Sequence, residues 1–285
     1  VTGVRRALIL LLALALTGPA QVACGRTAPP ATRAPTPAVT PSAGTTPTPG
    51  TPTPATTGST PRPARTHSPP APAVPPSLAG RDIERVPTDR KVVALTFDAG
   101  ANADGVPAIL AALDRDDVSA TFFLTGTFAR QFPDAARSIA RAGHRLGNHS
   151  VTHPHFPALT DAQVRAQLTG AETAVRSTAG ATTRPFFRFP FGDRTAHTIA
   201  VVNAAGYVAV RWTVDSLGWQ GTSGGRSAAS VTGRVLGAAQ PGEIVLLHVG
   251  SHPSDRSTLD ADALPGIIRG LRQRGYTFVT LDALR

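Results

Sequence analysis

KVVALTFDAGANADGVPAILAALDRDDVSATFFL, residues 91 to 124, decides the fold. Val92 to Phe97 is a short, largely β-branched run. Val106 to Leu113 has the apolar spacing of an amphipathic helix, and Ala120 to Leu124 returns to strand composition. Strand, helix and strand in succession are the alternation from which a parallel sheet is built. Asp104, ahead of Gly105, Val106 and Pro107, reads as a helix N-cap with Pro in the first turn.

The same alternation continues downstream. Strand-like runs recur near His144 to Gly147 and at Phe186 to Phe189, Tyr207 to Val214, Ile244 to Leu247 and Thr277 to Leu281. Helical periodicity fills the intervals at Asp134 to Ala142, Asp161 to Ala179, Thr195 to Ala205, Ser230 to Ala239 and Ala261 to Arg274. Thr160 and Asp161 open the longest helix, and Gly275 closes the last one. Seven strands alternating with helices predict an α/β domain with a parallel sheet, open or closed into a barrel.

Chemically capable residues gather where these strands end: Asp98, Asn148 with His149, Arg188, Asp215 and His248. In a barrel of alternating strands and helices, that rim is where an active site is built. His149 and His153 have H-x-x-x-H spacing, which on a helical or compact turn puts two imidazoles on one side, suited to Zn²⁺ or a similar divalent ion. A third ligand must come from elsewhere, and Asp98 is the natural supplier. Each residue also has an ordinary explanation, as a cap, a surface ion pair or a satisfied core histidine. Trp212 reads as sheet packing.

Taken together, these residues resemble carbohydrate esterase family 4, the NodB-like polysaccharide deacetylases. Thr96-Phe97-Asp98-Ala99-Gly100 is similar to the T-F-D-D-G motif, and His149-Ser150-Val151-Thr152-His153 to H-S/T-x-x-H. Arg188-Phe189-Pro190-Phe191-Gly192 resembles R-x-P-Y/F-G. The run from Trp212 to Trp219 resembles the Asp/Trp motif, and Leu246-Leu247-His248 the closing L-x-H. Five motifs in the family's order span nearly all of Lys91 to Leu281.

The resemblance implies a distorted (β/α)7 barrel that removes acetyl groups from an N-acetylated polysaccharide, either peptidoglycan or a chitin-like N-acetylglucosamine polymer. His149 and His153 would hold a divalent metal, with Zn favoured over Co or Ni. Asp98 would be the base and Arg188 its ion-pair partner. His248 would be the acid, the Phe191 backbone N–H an oxyanion donor, Leu246 the acetyl-pocket lining and Trp219 an apolar wall. Asp215 would orient Arg188 or His248.

The chain departs from the family pattern twice. Ala99 stands where the family has a metal-binding Asp, which leaves the third ligand open among Asp98, Asn102, Asp104, His155 and water. Gly218 stands where an Asp usually precedes the last Trp. A catalytically impaired, sugar-binding member of the same fold is therefore the competing expectation.

Ahead of this domain, Arg5 and Arg6 precede an apolar run from Ala7 to Leu16, too short to span a bilayer and suited to a secretory signal over residues 1–23. The chain has no Met and opens on Val1, which reads as a non-standard start codon. Cys24, the lone cysteine, follows Gln21-Val22-Ala23 and invites lipid attachment, with ordinary signal cleavage as the alternative. Residues 24–80 read as a Pro/Thr-rich tether: sixteen Pro and thirteen Thr lie between Thr27 and Gly80, with no acidic residue. This leaves 81–285 as the folded domain. The expected location is the outer face of the cell membrane or the cell wall, with membrane contact only through the signal or a lipid on Cys24. The expected state is a monomer.

The net charge of +10 divides unevenly. Six Arg and no acid precede residue 81, so the folded part holds 22 basic and 18 acidic residues, a balance of +4. It has no basic run of the kind that tracks a phosphate backbone, which argues against a nucleic-acid partner.

Overall fold

The computed structural model describes residues 73–285. The signal segment, Cys24 and most of the tether lie outside these residues. The main strands are β1 (Asp82–Ile83), β2 (Val92–Ala99), β3 (Thr121–Leu124), β4 (Arg145–Asn148), β5 (Phe186–Phe187), β6 (Val208–Val210), β7 (Val214–Asp215), β8 (Glu243–His248) and β9 (Thr277–Phe278). Around them lie α1 (Val106–Arg115), α2 (Gly126–Gln131), α3 (Pro133–Arg141), α4 (Asp161–Ala179), α5 (Ala196–Ala204), α6 (Ala228–Ala238) and α7 (Leu259–Gln273). The strands pair in parallel in the order β1-β6-β5-β4-β3-β2-β8-β7, with β9 also on β2. The parallel sheet is the one the alternating pattern predicts, and it curls into the distorted (β/α) barrel that the resemblance implies.

All eight residues of β2 are buried, as expected of a central parallel strand covered on both faces. The two-residue period of the strand sorts its side chains into two layers. Val93, Leu95, Phe97 and Ala99 join the outer layer with Ile109 and Leu113 of α1 and Leu264 and Ile268 of α7. Ala94 instead packs in an inner layer with Phe123, Phe186, Val208, Val210 and Ile244. Thr96 and Asp98 continue the inner series, so the position after Phe97 places a carboxylate at the top of the barrel interior.

The expected strand Tyr207 to Val214 is two strands. β6 pairs with β1 and β5, whereas β7 pairs with β8 at the other end of the sheet. Arg211, Trp212 and Thr213 cross the seam between them. Thr213 pairs with Ile244 through both its backbone N–H and its side chain. The run, broken only by Arg211 and Thr213, does not reveal by composition that its two halves have different partners. Near the seam, Val86 N–H donates to the Gly242 carbonyl and Arg85 bridges Glu243. A Cβ at Gly242, where φ is +75°, would lie 2.0 Å from the Val86 oxygen, so this approach requires glycine.

Three further expectations are corrected. Asp104 does not cap α1: Gly105 is the cap residue, and the Asp104 carboxylate accepts hydrogen bonds from Ser251 and Arg256 instead. The tether does not stay extended to Gly80, because residues 75–79 form a turn and Leu78 is buried in the inner layer. Six residues after Thr125 form α2, a helix missed because it is short and runs almost directly into α3. α4 begins and ends where its periodicity placed it, and Thr160 and Gln163 form a reciprocal capping box at its start. Among the described residues, no helix is long and apolar enough to cross a membrane.

Glu243, at the start of β8, is fully buried, and among the described residues neither carboxylate oxygen has a hydrogen-bond partner. Burial pushes its carboxyl up from 4.5 to about 7, despite the Arg274 charge. The folded state therefore holds this proton more tightly than the unfolded chain does. The resulting stability is complete below pH 4.5 and is lost as pH rises through 7. The loss amounts to about 3 kcal/mol. Urea unfolding on both sides of this window should show that slope in the wild type, and Glu243→Gln should remove it. Parallel pH profiles for the two proteins would contradict this account.

Candidate active site

The carboxyl ends of the strands converge on a cleft of about 840 Å³. Asp98 from β2, His149 after β4, Asp215 from β7 and His248 from β8 all border it. Arg188, after β5, lies completely buried beneath Asp98.

Arg188 organises the floor. One guanidinium nitrogen donates to Asp98 Oδ1 at 2.8 Å, and the other donates to Thr96 Oγ1 and to the Arg211 carbonyl, both at 2.9 Å. The Arg211 acceptor is available because the chain leaves the ladder at the seam between β6 and β7. The guanidinium also stacks over Phe123, 4.2 Å from its ring centre. Thr96, an unremarkable strand residue in the sequence, donates to the Val245 carbonyl and fixes the oxygen that Arg188 uses.

Asp98 Oδ2 lies 3.3 Å from His149 Nε2. Burial alone would push the Asp98 carboxyl up. The Arg188 charge, together with His149 and His248, outweighs burial and holds it below its ordinary value. His149 Nδ1 lies 2.9 Å from the Arg188 carbonyl oxygen, so it carries the proton and Nε2, beside Asp98, is left with the lone pair. Burial lowers the pKa of both imidazoles, and that of His153 falls to about 4, helped by neighbouring His149.

The segment carrying the two histidines is a compact turn. Ser150 and His153 both adopt positive φ, at 68° and 60°. Asn148 Oδ1 accepts from Ser150 N–H, and Ser150 Oγ accepts from His153 N–H. Gln167 Oε1 on α4 accepts from Val151 and Thr152. These bonds hold a strained turn that brings the imidazoles to a ring-centre separation of 4.7 Å. Gln167 carried no sequence signal. Asn148 is itself a structural anchor, with its amide bonded to Leu168, Thr183 and Tyr207.

His149 and His153 fit a divalent ion as a two-imidazole donor set with one tautomer fixed. Ala99 offers nothing further, being buried in the outer apolar layer. Asn102 is engaged with Ser251, Asp104 with Ser251 and Arg256, and His155 with Asp193 and the face of Phe191. Among the described residues, no group of three His, Cys, Asp or Glu is arranged to hold a metal. Asp98 is paired with Arg188 and belongs to no such group, so of the candidate third ligands water remains.

His248 is partly buried, and its Nδ1 lies 3.5 Å from Asp260 Oδ2. Burial would lower its pKa, but Asp260, with Asp98 and Asp215 nearby, raises it above the ordinary value. Asp215 makes no hydrogen bond to Arg188 or His248, contrary to the orienting role that the resemblance implies. Its two oxygens accept from Leu217 N–H and from the Trp219 indole. A short polar side chain at a strand end was captured by its own loop. Leu246 is buried at the cleft wall, and Phe191 and Trp219 are the two exposed large hydrophobic residues on its border.

A family model described as polysaccharide deacetylase matches residues 85–210. A peptidoglycan-N-acetylglucosamine deacetylase from Bacillus cereus is 35% identical over 198 residues, covering 70% of this chain and 70% of that protein. The chain belongs to the polysaccharide deacetylase family. A chitooligosaccharide deacetylase from a Bradyrhizobium strain is 36% identical over 200 residues, covering 67% of this family member and 90% of that protein. Among solved structures, the deacetylase fold seen here resembles a CE4 family pseudoenzyme from Bacillus anthracis. The TM-score is 0.66 at 27% identity, covering 73% of this chain and 69% of that one.

Proposed function

We propose that this deacetylase domain hydrolyses N-acetyl groups of a cell-envelope glycan, with Asp98 as base and His248 as acid. The observation that carries this reading is the opposed tuning of the two groups at one cleft. Arg188 donates to a buried carboxylate and holds its pKa below the ordinary value, while Asp260 and the other carboxylates around His248 raise that of the imidazole. Groups pushed apart in this way can take up and deliver a proton at the same pH.

An amide is a poor electrophile with a poor leaving group, and the named residues meet both difficulties. Asp98 accepts a proton from the attacking water, whose oxygen adds to the acetyl carbonyl carbon. The Phe191 backbone N–H donates to the developing oxyanion. His248 gives its proton to the glycan nitrogen as the carbon–nitrogen bond breaks, releasing acetate and leaving a free amine. Leu246 lines the pocket for the acetyl methyl, and Trp219, held by Asp215, walls the sugar site. A divalent ion on His149 and His153, with Zn favoured, supplies Lewis-acid polarisation and a lowered water pKa when bound.

The metal proposal predicts about one divalent ion per chain by elemental analysis after Zn loading, and a clear loss of that ion in His149→Ala. Equal metal content in the two proteins would exclude this pair as the holder.

The relatives named for peptidoglycan and chitooligosaccharides support an N-acetylated glycan, and action outside the cell agrees with the exported leader read from the sequence. A sugar-binding role without turnover is the second reading, favoured by Ala99 and by the absence of a third metal ligand among the described residues. Acetate release from peptidoglycan, chitin oligomers and acetylated xylan, each with and without added Zn, Co or Ni, separates the two. Release from the N-acetyl glycans supports the hydrolase. Binding to them without release under any metal supports the second reading.

A further inference from the structure

His248 and Gly218 share a neighbour that no motif marks. Asp260 lies in the first turn of α7, where its side chain is almost fully buried. Its Oδ2 accepts the His248 backbone N–H at 2.8 Å and lies 3.5 Å from the imidazole Nδ1. That Nδ1 is itself buried and has no hydrogen-bond partner among the described residues. Asp260 is thus the carboxylate placed to take the Nδ1 proton and turn Nε2 toward the cleft. Its other oxygen, Oδ1, is also buried without a partner and points at Gly218. A Cβ on residue 218 would lie 2.2 Å from Oδ1 and 2.6 Å from the carboxylate carbon. The space that a side chain at 218 would fill is therefore occupied by Asp260. The two positions are alternative sources for one carboxylate site.

We infer that Asp260 is a positioning residue for His248, placing a carboxylate from α7 in the space that glycine at position 218 leaves open. The catalytic consequence rests on the deacetylase reading, whereas the pairing itself does not. A carboxylate behind an imidazole fixes its tautomer and orientation and stabilises its protonated form. This matters where the leaving group must be protonated and little where it need not be.

The test uses the full chain as wild type, Asp260→Asn, Gly218→Asp and the exchange Gly218→Asp/Asp260→Ala. Asp260→Asn should lower kcat for an N-acetyl glycan by about a hundredfold with little change in KM. Hydrolysis of an activated aryl acetate, whose leaving group needs no proton, should stay within about threefold of wild type. Gly218→Asp alone should be impaired by crowding two carboxylates, and the exchange should recover most of the lost amide activity. Without substrate, the downfield imidazole N–H resonance that is absent from His248→Gln should be present in the wild type, lost in Asp260→Asn and regained in the exchange.

Equal losses on amide and aryl ester, or a resonance unchanged in Asp260→Asn, overturn the inference. If Asp260→Asn does not fold, the exchange decides: a folded exchange variant lacking both the resonance and amide turnover also overturns it. A wild type that shows the resonance yet releases no acetate keeps the pairing and overturns the hydrolytic reading of the cleft.

Discussion

Asp98→Asn should lower kcat for acetate release by about 10²- to 10⁴-fold while KM changes little, the range expected when a positioned proton acceptor is removed. The substitution keeps the shape of the side chain and leaves Arg188 with an oxygen to donate to, so the cleft and its sugar-binding walls persist. The lost property is the capacity to take a proton. Steady-state kinetics on a soluble N-acetylglucosamine oligomer, beside a matched circular dichroism spectrum, measure this directly. A variant within tenfold of wild type would remove Asp98 from the role of base.

Replacing Arg188 should have the largest effect on the fold itself. Arg188 is wholly buried, and its nitrogens satisfy Asp98, Thr96 and the seam carbonyl of Arg211 at once. Arg188→Met leaves the Asp98 carboxylate buried without its cation, a change that typically costs about 3–5 kcal/mol. It also leaves the Arg211 oxygen and the Thr96 hydroxyl short of a donor. Urea unfolding should show this loss, together with loss of turnover. Adding Asp98→Asn to Arg188→Met should recover part of the stability without restoring activity, because the two residues form one coupled pair. Additive losses would show that the ion pair is not the source of the effect.

Much of this site could be read from residue order. β2 was legible because a central parallel strand is buried on both faces and is written as a nearly continuous apolar run, here interrupted only by Thr96. The run was read to Phe97, which put Asp98 near its end, and the strand continues through Ala99. α4 was legible from its periodicity and its Thr160–Gln163 cap. The gathering of Asp98, His149, Arg188 and His248 on one rim followed from placing each at a strand end, because in a parallel barrel all strand ends of one sense face the same way.

The failures have a common cause: sequence order carries no information about which long-range partner captures a side chain. Asp104 stood at the right offset for a helix cap, yet Ser251 and Arg256, about 150 residues away in the chain, hold it. Asp215 turned into its own loop to hold Trp219. Gln167 and Asp260 became supports of the site only once α4 and α7 were packed against it. The seam at Arg211 was marked only by that charge in an otherwise strand-like run, although it supplies an acceptor for the central arginine. Gly218 was legible as a departure from the family pattern. That its space is filled from α7 was not.

We propose that the rim built on Asp98, Arg188 and His248 hydrolyses an acetamide although Ala99, beside Asp98, offers no carboxylate. Mass spectrometry of a chitin oligomer or muramidase-released peptidoglycan fragments, incubated with Zn-loaded protein, tests it most directly. The wild type should yield products that have lost acetyl groups and gained free amines, and Asp98→Asn should leave the glycan unaltered. Unaltered glycan with the wild type under every metal supplied, or equal product from both proteins, would contradict it.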